Sequence, residues 1–348
     1  MLRRKLGDQF FWKGVHNYVA GNLQKVVETD DFRRALEQVS GLNLNKFFDQ
    51  WIYGRGYPTL KAEMKYNEMD KLVTLTFSQT QEDKSLSIGL FDFDLEVEVS
   101  FKNEEKKLVT LKFSDSCPRA VAVIAAPSNP TMIRVDPDMK VLFDLEFNPG
   151  EDILATTMEH ASDIYNRIQA GKQLAKIGTK QSIAKISAAI AKEPFHGVRS
   201  ALAKELAANK NIYTAQALAD LIVTEKEPMA LMHIINSCIG FRNQVIKQAL
   251  KKLLERDDLP FLTHGRALQA YASQNVPLEE QDSLIDLIVQ HIESDKRVSY
   301  PHVKRGGYAA LGHMSDSKRV FDLLLNKLST ERHECRPIIA ESLAGKKI

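Results

Sequence analysis

The spacing of apolar residues changes twice along the chain. Residues 1–57 place them every three or four positions, residues 58–149 alternate apolar and polar, and residues 150–348 return to the helical spacing. The first spacing predicts amphipathic helices, whereas strict alternation predicts strands with one face in a core. The sequence therefore predicts a multi-domain protein of α and β structure, divided at about residues 57/58 and 149/150.

The first segment predicts three short helices. We expect Asp8 and Thr29 to cap the first two, since short polar side chains satisfy free amides at a helix start. Gly41 suits the left-handed position that ends a helix. A run containing Gly56 and Pro58 ends the third helix and precedes the alternating pattern.

The second segment contains about seven short alternating runs separated by turn residues. Evenly spaced amphipathic strands without intervening helices predict an antiparallel β-sandwich. The clearest run, residues 91–99, is apolar on one face and acidic on the other. Side chains two apart on a strand project side by side, so this acidic face is predicted to be solvated and not a calcium site.

The third segment carries a weak internal repeat. An arginine stands shortly before an Ala-Leu pair at Arg199, Arg266 and Arg305, with intervals of 67 and 39 residues. Short helices at irregular intervals, broken by Gly and Pro, predict a HEAT- or armadillo-like helical repeat domain. An irregular bundle of helix pairs fits the pattern equally well.

The three arginines are the candidate functional side chains of the chain. The favoured interpretation is structural, with each arginine tying one helical layer to the next. The alternative is a positive wall in a groove, where a guanidinium can bind a substrate carboxylate through two hydrogen bonds.

The composition narrows the functional class. There are 47 Lys and Arg against 45 Asp and Glu, a net charge of +2, which argues against a nucleic-acid binder. No apolar run approaches the roughly 20 residues of a membrane span, so we expect no membrane partner. The cysteines (Cys117, Cys238 and Cys335) form no CxxC pair, which slightly favours a reducing compartment such as the cytoplasm.

Sequence motifs for catalysis and metal binding are missing. A zinc-peptidase helix needs two histidines four residues apart with a glutamate after the first. No histidine here has another four residues on, and after His333-Glu334 the place of the second ligand is taken by Pro337. No phosphate-binding glycine loop and no Gly-x-Ser-x-Gly elbow occur either. We therefore predict no catalytic residue, no metal ligand and no cofactor in this chain.

Residues 1–79 nevertheless resemble a known family. The resemblance is carried by residues 2–11, 29–32, 35–44, 47–51 and 56–60. These stretches look like the end of the catalytic domain of the M1 zinc aminopeptidases, beginning in the helix that follows the catalytic tyrosine. The spacing of Trp51, Gly56 and Pro58 is typical of the family's junction between that domain and a β-sandwich. Further along the chain, the resemblance concerns only the order of the domains.

The resemblance implies that the chain is the C-terminal part of a zinc aminopeptidase, cut from a longer protein. In the family, an HExxH helix and a downstream glutamate bind the zinc ion, and all these motifs would precede Met1. The partners implied are peptide substrates and the N-terminal catalytic domain. The helical domain would enclose the substrate chamber, while this chain alone would be inactive.

The same resemblance leaves an alternative open. Some relatives are non-catalytic scaffolds, and the helical repeats would then bind other proteins. An intact HExxH motif upstream of Met1 would distinguish the enzyme from the scaffold.

Overall fold

The computed structural model describes residues 1–102, 105–256, 258–274, 278–296, 301–314 and 317–346. The chain forms two compact units, Met1–Gln173 and Leu174–Ile348. The three-part division inferred from the sequence stays a prediction.

The N-terminal helices surround a small apolar core. They are α1 (Leu2–Leu6), α2 (Asp8–Gly21), α3 (Thr29–Ser40) and α4 (Asn45–Phe48), followed by a π-helical turn, Asp49–Tyr53. Their buried apolar side chains include Leu6, Leu36, Leu44 and Phe48. Gly14 lies against Leu36, where a Cβ would meet a Leu36 methyl at 2.7 Å, so glycine permits the close approach of α2 and α3.

Two of the predicted helix caps are wrong. Asp8 is the first residue of α2 and pairs with Arg3 instead, with Arg3 Nη2 2.7 Å from Asp8 Oδ2. The cap of α3 is Glu28, whose side chain accepts from the Asp31 amide while Asp31 accepts from the Glu28 amide. This reciprocal pair satisfies two amides, so it replaces the expected Thr29 cap. Gly41 ends α3 at φ 69°, as predicted.

In the described residues, seven strands follow, as the alternation predicts. They are β1 (Thr59–Asn67), β2 (Leu72–Gln79), β3 (Phe93–Ser100), β4 (Lys106–Phe113), β5 (Arg119–Ala125), β6 (Met132–Val135) and β7 (Asp144–Phe147). One sheet has the order β5-β2-β1-β7 and the other the order β4-β3-β6. Apolar side chains of both sheets enter a single core, including Leu75 and Phe77 from β2 and Leu95 and Val97 from β3.

The first sheet is mixed, which corrects the prediction of purely antiparallel pairing. β1 and β7 pair in parallel, with Leu60 opposite Leu145 and Ala62 opposite Phe147. A parallel neighbour needs a crossover in place of a tight hairpin. Between β1 and β7 the chain also forms the strands of the second sheet. This long connection lets β7 lie beside β1 in the same direction.

After β7, the described residues form helices joined by short loops. The helices are α5 (Glu151–His160), α6 (Ile164–Ile177), α7 (Lys180–Lys192), α8 (His196–Ala208), α9 (Ile212–Thr224), α10 (Pro228–Ser237), α11 (Gln244–Leu254), α12 (Phe261–Ala272), α13 (Leu278–Ser294), α14 (His302–His313), α15 (Lys318–Thr330) and α16 (Arg336–Ala344). Within the described ranges, none of the helices combines the length and apolarity needed to cross a membrane.

Candidate functional site

A cavity of about 320 Å³ opens between helices of the second unit. Helices α10, α12, α14 and α16 contribute its wall. The lining residues are Met232, Leu262, Gly265, Arg266, Gln269, His302, Arg305, Gly306, Ala309 and Ile338. The wall therefore combines apolar side chains with two arginines, a glutamine and a histidine, and none of its described lining residues carries a carboxylate.

Two glycines allow α12 and α14 to cross closely at this cavity. A Cβ on Gly306 would lie 2.2 Å from the Gly265 carbonyl oxygen, and one on Gly265 would lie 2.4 Å from the His302 carbonyl oxygen. Neither distance can be relieved by a side-chain rotation, because backbone atoms are involved. The glycines therefore determine the crossing that places Arg266 and Arg305 on one cavity wall.

Both cavity arginines are exposed, and neither has a carboxylate partner among the residues that the structure describes. Arg266 Nη1 donates to Gln269 Oε1 at 2.9 Å, and Gln269 Nε2 lies 3.2 Å from His313 Nε2. A guanidinium without a carboxylate keeps its donors available for an anion. The wall is suited to a carboxylate or another oxyanion.

His302 adds a polar ring to the same wall. It stacks on Phe261 with ring centroids 5.3 Å apart. Burial lowers the pKa of His302, and the positive charges of Arg305 and Arg266 lower it further, while Asp295 acts in the opposite direction. The ring is therefore neutral at neutral pH, so the arginines supply the positive charge of the wall.

Arg199 lies in a different environment. Its Nε and Nη2 donate to the two carboxylate oxygens of Glu225 at 2.8 and 3.1 Å. Its Nη1 donates to the carbonyls of Glu193 and Pro194 at 2.9 and 3.1 Å. Arg199 is absent from the cavity wall and clamps the start of α8 to the chain after α9. The structure thus brings together two of the three arginines singled out from the sequence.

Sequence inspection missed His302 and Gln269. Their spacing in the sequence could have identified them. His302 precedes Arg305 by three residues, and Gln269 follows Arg266 by three. Residues three apart share a helix face. A search for polar partners on the arginine face would have found both.

The junction residues lie where the N-terminal helices meet the strands. Trp51 packs on Phe91, with ring centroids 4.7 Å apart. Gly56 has φ 77° and faces Ile88, while the Pro58 carbonyl accepts from the Asp144 amide at 3.0 Å. Trp51 and Pro58 thus connect the end of the helical segment to the sheets.

The chain does not fit a peptidase zinc site. Its sequence has no HExxH helix. In the part of the chain that the structure describes, no group of three His, Cys, Asp or Glu side chains is arranged to hold a metal ion.

Similarity to known proteins points to one class, the aminopeptidases. The chain is 38% identical over 80 residues to aminopeptidase N of Haemophilus influenzae, covering 23% of this chain and 9% of that protein. It is 24% identical over 152 residues to aminopeptidase A of Gloydius brevicauda, a match that covers 43% of this chain and 15% of that protein. Aminopeptidase 2 of Candida albicans is 31% identical over 123 residues, a match that covers 33% of this chain and 13% of that protein. No family model matches the chain.

The fold is similar to part of a solved aminopeptidase. The crystal structure of Legionella pneumophila aminopeptidase A in complex with aspartic acid matches 99% of this chain and 46% of that chain, with a TM-score of 0.62 and 15% identity. The curated matches each span 15% or less of the relative. The resemblance inferred from residues 1–79 is therefore confirmed: the chain is similar to a region of an M1-like aminopeptidase.

Proposed function

We propose that this chain is the non-catalytic C-terminal region of a zinc aminopeptidase that removes N-terminal residues from peptides. The main support for this proposal is the fold, which matches part of aminopeptidase A along 99% of the chain. In this proposal, residues 1–57 end the catalytic domain, residues 58–149 form a β-sandwich, and residues 150–348 form HEAT-like repeats. The zinc ion belongs to the part of the protein that carries HExxH.

The helical repeats enclose the substrate chamber in this proposal. The cavity between α12 and α14 supports that role, because two arginines without carboxylate partners in the described residues face it. A peptide in the chamber carries a carboxylate at its distal end, and a guanidinium can bind it bidentately. Arg266 and Arg305 are the proposed contacts, whereas the hydrogen bonds of Arg199 support a structural role.

Two measurements test the proposal at separate levels. We expect the purified chain to release no product from aminoacyl amides. The reading frame upstream of Met1 should encode HExxH with a downstream glutamate. Hydrolysis by this chain alone would contradict the non-catalytic assignment. An upstream frame without the motif would favour the protein-binding scaffold instead.

The cavity is tested by calorimetry with a short peptide and its C-terminally amidated form. We expect the free carboxylate to bind at least about tenfold more tightly, since charge-assisted hydrogen bonds contribute roughly 1.5–3 kcal/mol. Arg266→Ala and Arg305→Ala should abolish the preference. Arg242→Ala, at an exposed arginine outside the cavity wall, is the matched control. Equal affinity for the two peptides would contradict the proposed contact with the peptide carboxylate.

A further inference from the structure

Two histidine rings meet between α12 and α13, outside the cavity wall. His264 Nε2 lies 3.0 Å from His291 Nδ1, with ring centroids 4.6 Å apart and ring planes at 80°. Two neutral imidazoles can share such a contact, one donating its proton and the other accepting it.

The distance between these nitrogens is close to the separation of two ligands on one metal ion. A zinc–nitrogen bond is about 2.0–2.1 Å, so two nitrogens on one tetrahedral ion lie roughly 3.4 Å apart. The observed 3.0 Å is shorter than this by a few tenths of an ångström, and the two rings must turn so that both nitrogen lone pairs point at one ion. Either imidazole nitrogen can serve as a ligand, so the mixed Nε2 and Nδ1 pair is acceptable.

The surroundings favour an open site. Both rings are partly buried, so solvent reaches them and water can complete the coordination. Arg266 lies two positions from His264, and helix residues two apart do not face each other. Its charge is thus directed to another face of α12, where it lines the cavity.

We propose that His264 and His291 form a two-histidine site for a divalent transition-metal ion, with Cu²⁺ bound more tightly than Zn²⁺. Imidazole suits both ions, and their order follows the general stability series. When the ion binds, the ring that holds its proton at the shared contact carries that proton on its other nitrogen instead, so both rings bind as neutral imidazoles. The ion then links α12 to α13. A bound ion of this kind supplies no peptidase chemistry, and it modifies the expectation from the sequence that the chain binds no metal.

The experiment titrates the full chain, free of any affinity tag, with CuCl₂ and with ZnCl₂ by calorimetry at pH 7.5. We expect one ion per chain at saturation and a rise in the unfolding temperature, because the ion binds only the folded state. His264→Gln and His291→Gln should each weaken binding about tenfold or more. His333→Gln is the matched control, since the His333 side chain is 86% exposed in a surface loop.

Circular dichroism shows whether each variant is folded. As a measurement that needs no variant, nitrogen-15 NMR of the imidazoles in the wild-type chain should show zinc shifting the signals of two histidines only. Failure to bind either ion would overturn the proposal, as would unchanged affinity in both folded variants. Zinc-dependent shifts at histidines other than His264 and His291 would overturn it as well.

Discussion

Arg199 and Arg305 stand in similar sequence surroundings yet lie in opposite environments. Arg199 is 13% exposed and holds Glu225, itself 9% exposed, through two hydrogen bonds. Arg305 is exposed at a cavity whose wall, as far as the structure describes it, includes no carboxylate. The comparison teaches that one recurring motif occupies two different environments within a helical unit. A guanidinium stabilises the fold where a carboxylate is buried beside it, and it remains available for ligands where none is.

The largest expected effect on stability is at the clamped arginine. Arg199→Ala leaves the Glu225 carboxylate buried without its guanidinium, and removing one member of a buried pair costs about 3 kcal/mol. Urea unfolding should report this loss in the free energy of unfolding, while Arg242→Ala should change it little. If the Arg199→Ala chain were as stable as the wild type, the proposed structural role of Arg199, in contrast to Arg305, would be contradicted.

The next effect concerns the crossing that creates the cavity. Gly306→Ala places a methyl group 2.2 Å from the Gly265 carbonyl oxygen, so α12 and α14 must move apart. Overpacking of this kind lowers the free energy of unfolding by about 2 kcal/mol. Thermal and urea unfolding measure the loss, and peptide binding at the cavity should weaken with it. Gly345→Ala is the control, because its Cβ would approach no atom closer than 3.8 Å.

A pH titration sharpens the comparison further. Burial of Glu225 acts to raise its pKa, but hydrogen bonds from Arg199 and from the Glu227 and Lys226 amides outweigh it, so the pKa is lowered from 4.5. A lowered pKa contributes stability above the unfolded-state value, and that contribution is lost as the pH falls through the folded-state value. The stability difference between wild type and Arg199→Ala should therefore shrink below about pH 4.5. A difference that stayed constant down to pH 3 would contradict the role of this ion pair.

The smallest effects on stability are expected at the cavity. Arg266→Ala and Arg305→Ala remove exposed guanidinium groups without carboxylate partners in the described residues, so each should change stability by less than about 0.5 kcal/mol. Urea unfolding checks this, and the same variants serve in the peptide titration. A large destabilisation by either variant would show that the cavity arginines are structural, like Arg199.

Much of the local structure was predictable, because it depends on short-range spacing. Alternation predicted the seven strands seen among the described residues of 58–149, and Gly41 marked the end of α3. The cap of α3 was missed because Glu28 and Asp31 satisfy each other's amides, which makes the Thr29 side chain unnecessary. The parallel β1–β7 pair was missed because it joins strands more than 70 residues apart, and period-two alternation carries no information about strand direction.

The sequence by itself determined the kinds of element, their order, the lack of an HExxH helix and the resemblance to aminopeptidases. These properties are carried by spacing and by short motifs within one stretch of chain. Only the tertiary structure decided which arginine is clamped and which lines a cavity. The physical reason is that a side chain's role depends on its partners in space: Glu225 is 26 residues from Arg199, and Gly265 meets Gly306 across two helices. Neither partner can be inferred from the residues adjacent to an arginine.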